Sequence, residues 1–172
     1  YDVLLIADEV FTGFGRTGTM FACEHAEVTP DIMCLSKGLT GGFLPFSATL
    51  CSDQIHDAFT VPDRTRTFFH GHSYTGNPIG CAAAIASLEV FETEPVFDRI
   101  RTIERIHQER LPLLAGQTLV GDLRMIGTIA AIELKTEDAG YLSKIRPTLY
   151  KYFIDNGVLL RPLGNVIYIL PP

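Results

Sequence analysis

The chain has 172 residues, 47% of them apolar, with a net charge of −6 and a mean hydropathy of +0.20. That hydropathy excludes a disordered polymer, which needs few apolar residues and a high net charge. The longest apolar stretch, Ile79 to Leu88, is broken at Ser87, far short of the roughly 18 residues of a membrane span. Net acidity argues against a nucleic-acid-binding surface. The four cysteines, Cys23, Cys34, Cys51 and Cys81, have apolar neighbours and no C-x-x-C, and read as reduced, buried thiols in a cytoplasmic protein. Cys23/His25 and His70/His72 fall short of a four-ligand set, so no metal is expected. The chain opens without Met almost directly on an apolar run and closes on Pro171-Pro172, which reads as a piece of a longer polypeptide.

Val3–Ala7 is a continuous apolar run, as expected of a strand buried on both faces of a sheet. Asp31–Leu35 and Phe46–Cys51 read as two further strands and Arg66–Phe69 as a weaker fourth. Pro78–Phe91 is a small-residue helix with Pro at its first turn. The charge balance then changes: residues 1–95 carry a net −8 and residues 96–172 a net +2. The change falls at Glu94-Pro95, where a domain boundary is expected, giving units 1–95 and 96–172. The second opens with a helix from Val96 to about Leu114, with Ile100, Ile103, Ile106 and Leu111 near helical spacing. Strands follow at 122–126 and 128–134, a helix at 141–156, and strands at 158–161 and 166–170. An α/β part thus precedes an α+β part.

Gly13-Phe-Gly-Arg-Thr-Gly18 matches G-x-G-x-x-G, but it does not follow the strand directly and opens no helix. A glycine-rich loop with positive-φ positions is the better reading. Asp8 and Glu9 fall at the carboxyl end of the first strand, where open α/β sheets bind ligands; a surface acid or helix cap is the alternative. Lys37 is the only lysine before residue 135 and sits between a strand and Gly38-Leu-Thr-Gly-Gly42. A desolvated lysine forms Schiff bases; a solvated loop lysine is the alternative. Together, a lysine and a carboxylate at two strand ends suit pyridoxal 5′-phosphate (PLP): the amine holds the aldehyde, and the carboxylate keeps the ring nitrogen protonated.

Asp8-Glu-Val-Phe-Thr-Gly-Phe-Gly-Arg-Thr-Gly18 and Pro30-Asp-Ile-Met-Cys-Leu-Ser-Lys-Gly-Leu-Thr-Gly-Gly42 resemble the class III, fold type I, PLP-dependent aminotransferases. Phe21-Ala-Cys-Glu-His25, Phe69–Pro78 and Leu160–Pro172 narrow the resemblance to the branch that transaminates 8-amino-7-oxononanoate to 7,8-diaminononanoate in biotin synthesis. The resemblance implies the second half of a large mixed-sheet, PLP-binding domain over 1–95, and most of an α+β C-terminal small domain over 96–172. It makes Lys37 the Schiff-base lysine and Asp8 the partner of the pyridine nitrogen. Ser73 binds the cofactor phosphate of a neighbouring subunit, with His72 beside it, which implies a homodimer. Gly71 lies where the backbone approaches substrate. Arg161 grips the substrate carboxylate, a role suited to a planar guanidinium, and Tyr168 lies in the same pocket. The implied amino donor is S-adenosylmethionine, with lysine used by some relatives. Another class III aminotransferase acting on ornithine, 4-aminobutyrate or a similar ω-amino acid is the alternative, and a non-catalytic α/β binding domain is the alternative of a different class.

Overall fold

The computed structural model describes residues 3–172, which divide into two compact units, one ending at Phe97 and the other running from Asp98 to Pro172. The first holds a three-stranded sheet in the order β1 (Ile6–Asp8), β2 (Ile32–Leu35), β3 (Ala48–Cys51). The β1–β2 pair is parallel, with Asp8 opposite Cys34; β2 and β3 are antiparallel. The core of this unit is Leu35, Leu39 and Ala84, with Phe14, Phe21, Met33, Phe46 and Ala48 packed around it.

The helix α2 (Pro78–Thr93) covers this core with small side chains. Asn77 caps it, accepting the N–H groups of Ile79 (2.9 Å) and Gly80 (3.3 Å), and Pro78 occupies the first turn, where its missing N–H costs nothing. Gly80, Ala84 and Ser87 follow at helical spacing along the inner face. A Cβ on Gly80 would stand 2.6 Å from the Phe46 ring, so glycine is what lets the helix approach. Ser87 Oγ donates to the Gly38 carbonyl at 3.1 Å and ties α2 to the segment after β2.

The second unit begins within the helix α3 (Val96–Arg110). Its sheet is antiparallel, in the order β4 (Val120–Ile126), β5 (Ile129–Leu134), β6 (Val166–Ile169). Ile100, Leu111 and Ala130 are its buried apolar residues. Gly127, at φ +52°, makes the two-residue β4–β5 turn. The helix α4 (Arg146–Asp155) precedes β6.

Several expected elements differ. Residues 3–5 lie outside β1, and Val3 is 80% exposed, so the first run is not buried on both faces within this unit. Arg66–Phe69 is no strand. The Asp63 carboxylate accepts the Thr65 N–H and hydroxyl, drawing Arg64–Arg66 into a 3-10 turn, and Phe68 and Phe69 are left exposed. The helix α1 (Asp53–Phe59) was not anticipated; only Ile55 and Ala58 turn inward, too few for a periodic signal. α3 stops at Arg110, and Pro112 turns Leu111–Leu114 into a 3-10 helix. α4 starts at Arg146 rather than 141, because Asp138 accepts the Ser143 hydroxyl and the Lys144 N–H and holds that stretch as a turn. Residues 158–161 form no strand; the Val158 and Leu160 N–H groups bond locally, to Phe153 and Val158. All four cysteines are free, but none is fully buried: Cys23, Cys34 and Cys81 are half-buried and Cys51 is exposed.

Candidate active site

Asp8 ends β1, and Lys37 lies three residues beyond Cys34, Asp8's partner on the parallel neighbour β2. The parallel pairing therefore delivers both to the carboxyl end of the sheet, where α/β folds bind ligands. The Asp8 carboxylate accepts the Val10 N–H at 3.1 Å and forms no ion pair among the described residues. Lys37 opens a 3-10 turn, Lys37–Thr40, with φ at +44°. A lysine in that left-handed region is strained, and such strain gathers at functional sites. Its Nζ lies 5.3 Å from the centroid of the Phe11 ring, within cation–π range.

The glycine motif is a loop, with Gly15 at φ +86° and Gly18 at φ +101°. It is built on Glu9, which is 2% exposed. The Glu9 carboxylate accepts the Thr12 hydroxyl and the N–H groups of Ala22 (3.0 Å) and Cys23 (2.8 Å). Burial alone would raise its pKa, but these bonds, with one from the Cys23 side chain, favour the ionised form and hold it below the ordinary 4.5. Burial and the adjacent Glu9 charge push the Cys23 thiol up. Asp8 and Glu9, equivalent on paper, thus face opposite ways: Asp8 outward at the sheet end, Glu9 inward as a loop clamp. Strand alternation is the signal that separates them.

A cleft of about 810 Å³ opens in the same unit, lined by Ser36, Phe46, His72, Tyr74 and Asn77. Ser36, next to Lys37, donates to the Phe46 carbonyl at 2.7 Å. His72 Nδ1 accepts the Tyr74 N–H at 3.1 Å within a turn closed by Thr75 N–H to the His72 carbonyl at 3.0 Å. Ser73 lies in that turn with its side chain exposed. Gly71 has an ordinary φ and open space about it, so nothing in this unit demands glycine there. No group of three or more His, Cys, Asp or Glu side chains is gathered among the described residues.

Arg161 and Tyr168 line one pocket of the second unit, about 360 Å³, together with Tyr141, Lys144 and Arg146. Its floor is rigid. Arg146 Nε donates to the Pro162 carbonyl at 3.1 Å. Asn165, 1% exposed, donates to the Leu134 carbonyl at 2.7 Å and accepts the Gly140 N–H at 2.8 Å. Leu163 and Val166 exchange both backbone hydrogen bonds around Gly164, whose φ is +60°. Sequence reading marked Glu9 without assigning it a role, and missed Phe11, Arg146 and Asn165 as contributors. Asn165 sits in the quoted Leu160–Pro172 motif, but its buried bonds are to distant residues.

The donor set at the sheet end, an amine held in no ion pair among the described residues beside an outward carboxylate, is the kind that accepts a carbonyl-bearing, nitrogen-ring cofactor. Comparison with known proteins runs the same way. The chain is 52% identical over 170 residues to the adenosylmethionine-8-amino-7-oxononanoate aminotransferase of Synechococcus elongatus, spanning 98% of this chain and 39% of that protein. The crystal structure of the enzyme of that name from Methanocaldococcus jannaschii superposes with a TM-score of 0.90 at 42% identity, over 99% of this chain and 41% of that one. A PLP-bound amine transaminase from an uncultivated Pseudomonas species gives a TM-score of 0.87 at 36% identity, over 99% of this chain and 40% of that one. This chain therefore spans about two fifths of these relatives, and its fold is that of their fold type I PLP-dependent transaminases. The class-III aminotransferase family model matches residues 1–172. The chain therefore belongs to the class-III aminotransferases.

Proposed function

We propose that the full-length protein is a PLP-dependent aminotransferase of biotin synthesis that converts 8-amino-7-oxononanoate to 7,8-diaminononanoate, with S-adenosylmethionine as amino donor. The observation that carries this reading is the strained Lys37 beside Asp8 at one sheet end, in a chain 52% identical to an enzyme named for that substrate and donor. When bound, PLP supplies an aldehyde for amine condensation and a protonated ring that delocalises the electron pair left on a substrate carbon. Lys37 Nζ would provide the amine that holds the aldehyde and would move a proton on and off the reacting carbon of the substrate. Asp8 keeps the ring nitrogen protonated. The Ser73 hydroxyl takes the phosphate of the neighbouring subunit's cofactor, with His72 shaping the turn and Gly71 leaving room for substrate; the working unit is a homodimer. Arg161 takes the keto acid's carboxylate and Tyr168 flanks it. Residues 1–95 belong to the large PLP-binding domain and 96–172 to the small domain. The four free cysteines suit a reducing cytoplasm.

The test is borohydride reduction of the PLP-loaded full-length protein, then peptide mapping and an acceptor panel. A reduced pyridoxyl group is expected on Lys37 and lost in Lys37→Ala. The 8-amino-7-oxo acid is the expected acceptor, with S-adenosylmethionine outperforming lysine as donor. An unlabelled Lys37 would sink the cofactor reading. Activity confined to ω-amino acids would reassign the substrate within the family.

A further inference from the structure

We propose that Glu9, which the chemistry above does not use, is a positioning residue for the cofactor-binding pair: its buried carboxylate locks the turn that holds Asp8 and Phe11 against Lys37. The inference rests on the PLP reading above.

Every polar group of residue 9 is engaged. Its N–H donates to the Cys34 carbonyl on β2 at 3.0 Å, and its own carbonyl accepts the Gly13 N–H at 3.0 Å. Its carboxylate takes the Thr12 hydroxyl on one side and the Ala22 and Cys23 N–H groups on the other. One side chain therefore pins both ends of the 10–21 loop to the sheet. A Cβ on Gly13 would fall 2.9 Å from the Glu9 carbonyl, so the turn is as tight as glycine permits.

That loop grips Lys37 from two directions. Phe11, between Glu9 and the Thr12 clamp, faces the Lys37 ammonium. Phe14, held at φ +59° with its N–H on the Met20 carbonyl, packs against Gly38, where a Cβ would stand 2.8 Å from the Phe14 Cβ. Asp8 is one residue before Glu9 and is tied to the same turn through the Val10 N–H. A neutral side chain could close a loop without the cost of burying a charge. An ionised carboxylate adds charge-assisted hydrogen bonds, shorter and stronger than neutral ones. The stiffness so gained acts where Asp8, Phe11 and Lys37 must keep register.

The test uses the full-length holoenzyme with Thr12→Val, which keeps the Glu9 charge but removes the hydroxyl clamp, and Glu9→Gln. The readouts are PLP affinity, the pH midpoint of the bound cofactor's visible absorption, and thermal midpoint. Misplacement of positioned groups costs about tenfold to a hundredfold, so both variants are expected to bind PLP at least about tenfold more weakly. Their absorption midpoint is expected to move by about half a unit or more as the surroundings of Lys37 change. Wild-type affinity and midpoint in Thr12→Val, whatever its thermal midpoint, would overturn the inference and leave Glu9 a loop closure only. Thr12→Val decides even where Glu9→Gln does not fold. A wild-type protein that takes no pyridoxyl group at Lys37 overturns the cofactor reading and this inference with it.

Discussion

Asp8 and Glu9 are consecutive carboxylates with opposite environments: Asp8 is exposed and Glu9 is buried. Glu9 is held below its ordinary 4.5 in the folded chain. A depressed pKa means stability that is present above the unfolded value and is lost as pH falls through the folded one. Denaturant unfolding of the full-length protein is therefore expected to weaken more steeply for wild type than for Glu9→Gln between about pH 6 and about pH 3. Parallel curves would mean that the Thr12, Ala22 and Cys23 bonds do not favour the ionised form. Arg161 yields a second prediction at this scale. Lysine cannot reproduce the guanidinium fork, and hydrogen bonds to charged groups contribute about 1.5–3 kcal/mol. Arg161→Lys is thus expected to raise KM for the keto acid about tenfold to a hundredfold, with kcat changed much less. An unchanged KM would remove Arg161 from carboxylate binding.

At the scale of elements, local chemistry and tertiary contact divide the work. α2 was legible because its signals are local: Asn77 as cap, Pro78 in the first turn and an alanine-rich body. Asn77→Ala leaves two N–H groups without their acceptor and is expected to destabilise the protein by about 1 kcal/mol, within a range of about 0.5–2, measured by denaturant midpoint at constant slope. A loss near zero would mean that water replaces the cap. The Arg66–Phe69 strand failed for the opposite reason. Its β-prone residues are real, but a strand exists only where a neighbour completes its ladder. Asp63 offers Thr65 a nearer partner, and no described strand lies beside Phe68 and Phe69.

At the scale of the whole molecule, exposed apolar residues ask to be covered. Phe43 is 84% exposed, Phe69 80% and Leu142 87%, in a chain spanning about two fifths of its relatives. A homodimer with shared sites, as proposed, would cover part of this exposed apolar surface. If Ser73 serves the partner's cofactor, mixed dimers of Lys37→Ala and Ser73→Ala subunits regain one intact site each. The mixture is expected to recover wild-type PLP affinity in about half of its mixed-dimer sites, read by titration after tandem-tag purification. No recovery would place Ser73 in its own subunit's site, and wild-type affinity in the Ser73→Ala homodimer would place it outside any site. The sequence by itself determined the candidate pair, because Lys37 stands alone among glycines and Asp8 follows an apolar run, and it pointed to the family through the resemblance carried by Asp8–Gly18 and Pro30–Gly42. The tertiary structure alone decided that Thr12, Ala22 and Cys23 close over the Glu9 carboxylate, that Phe11 backs the lysine, and that Asn165 and Arg146 hold the segment bearing Arg161. Those are contacts between residues up to 31 positions apart, fixed by packing and hydrogen-bond completion rather than by any local pattern.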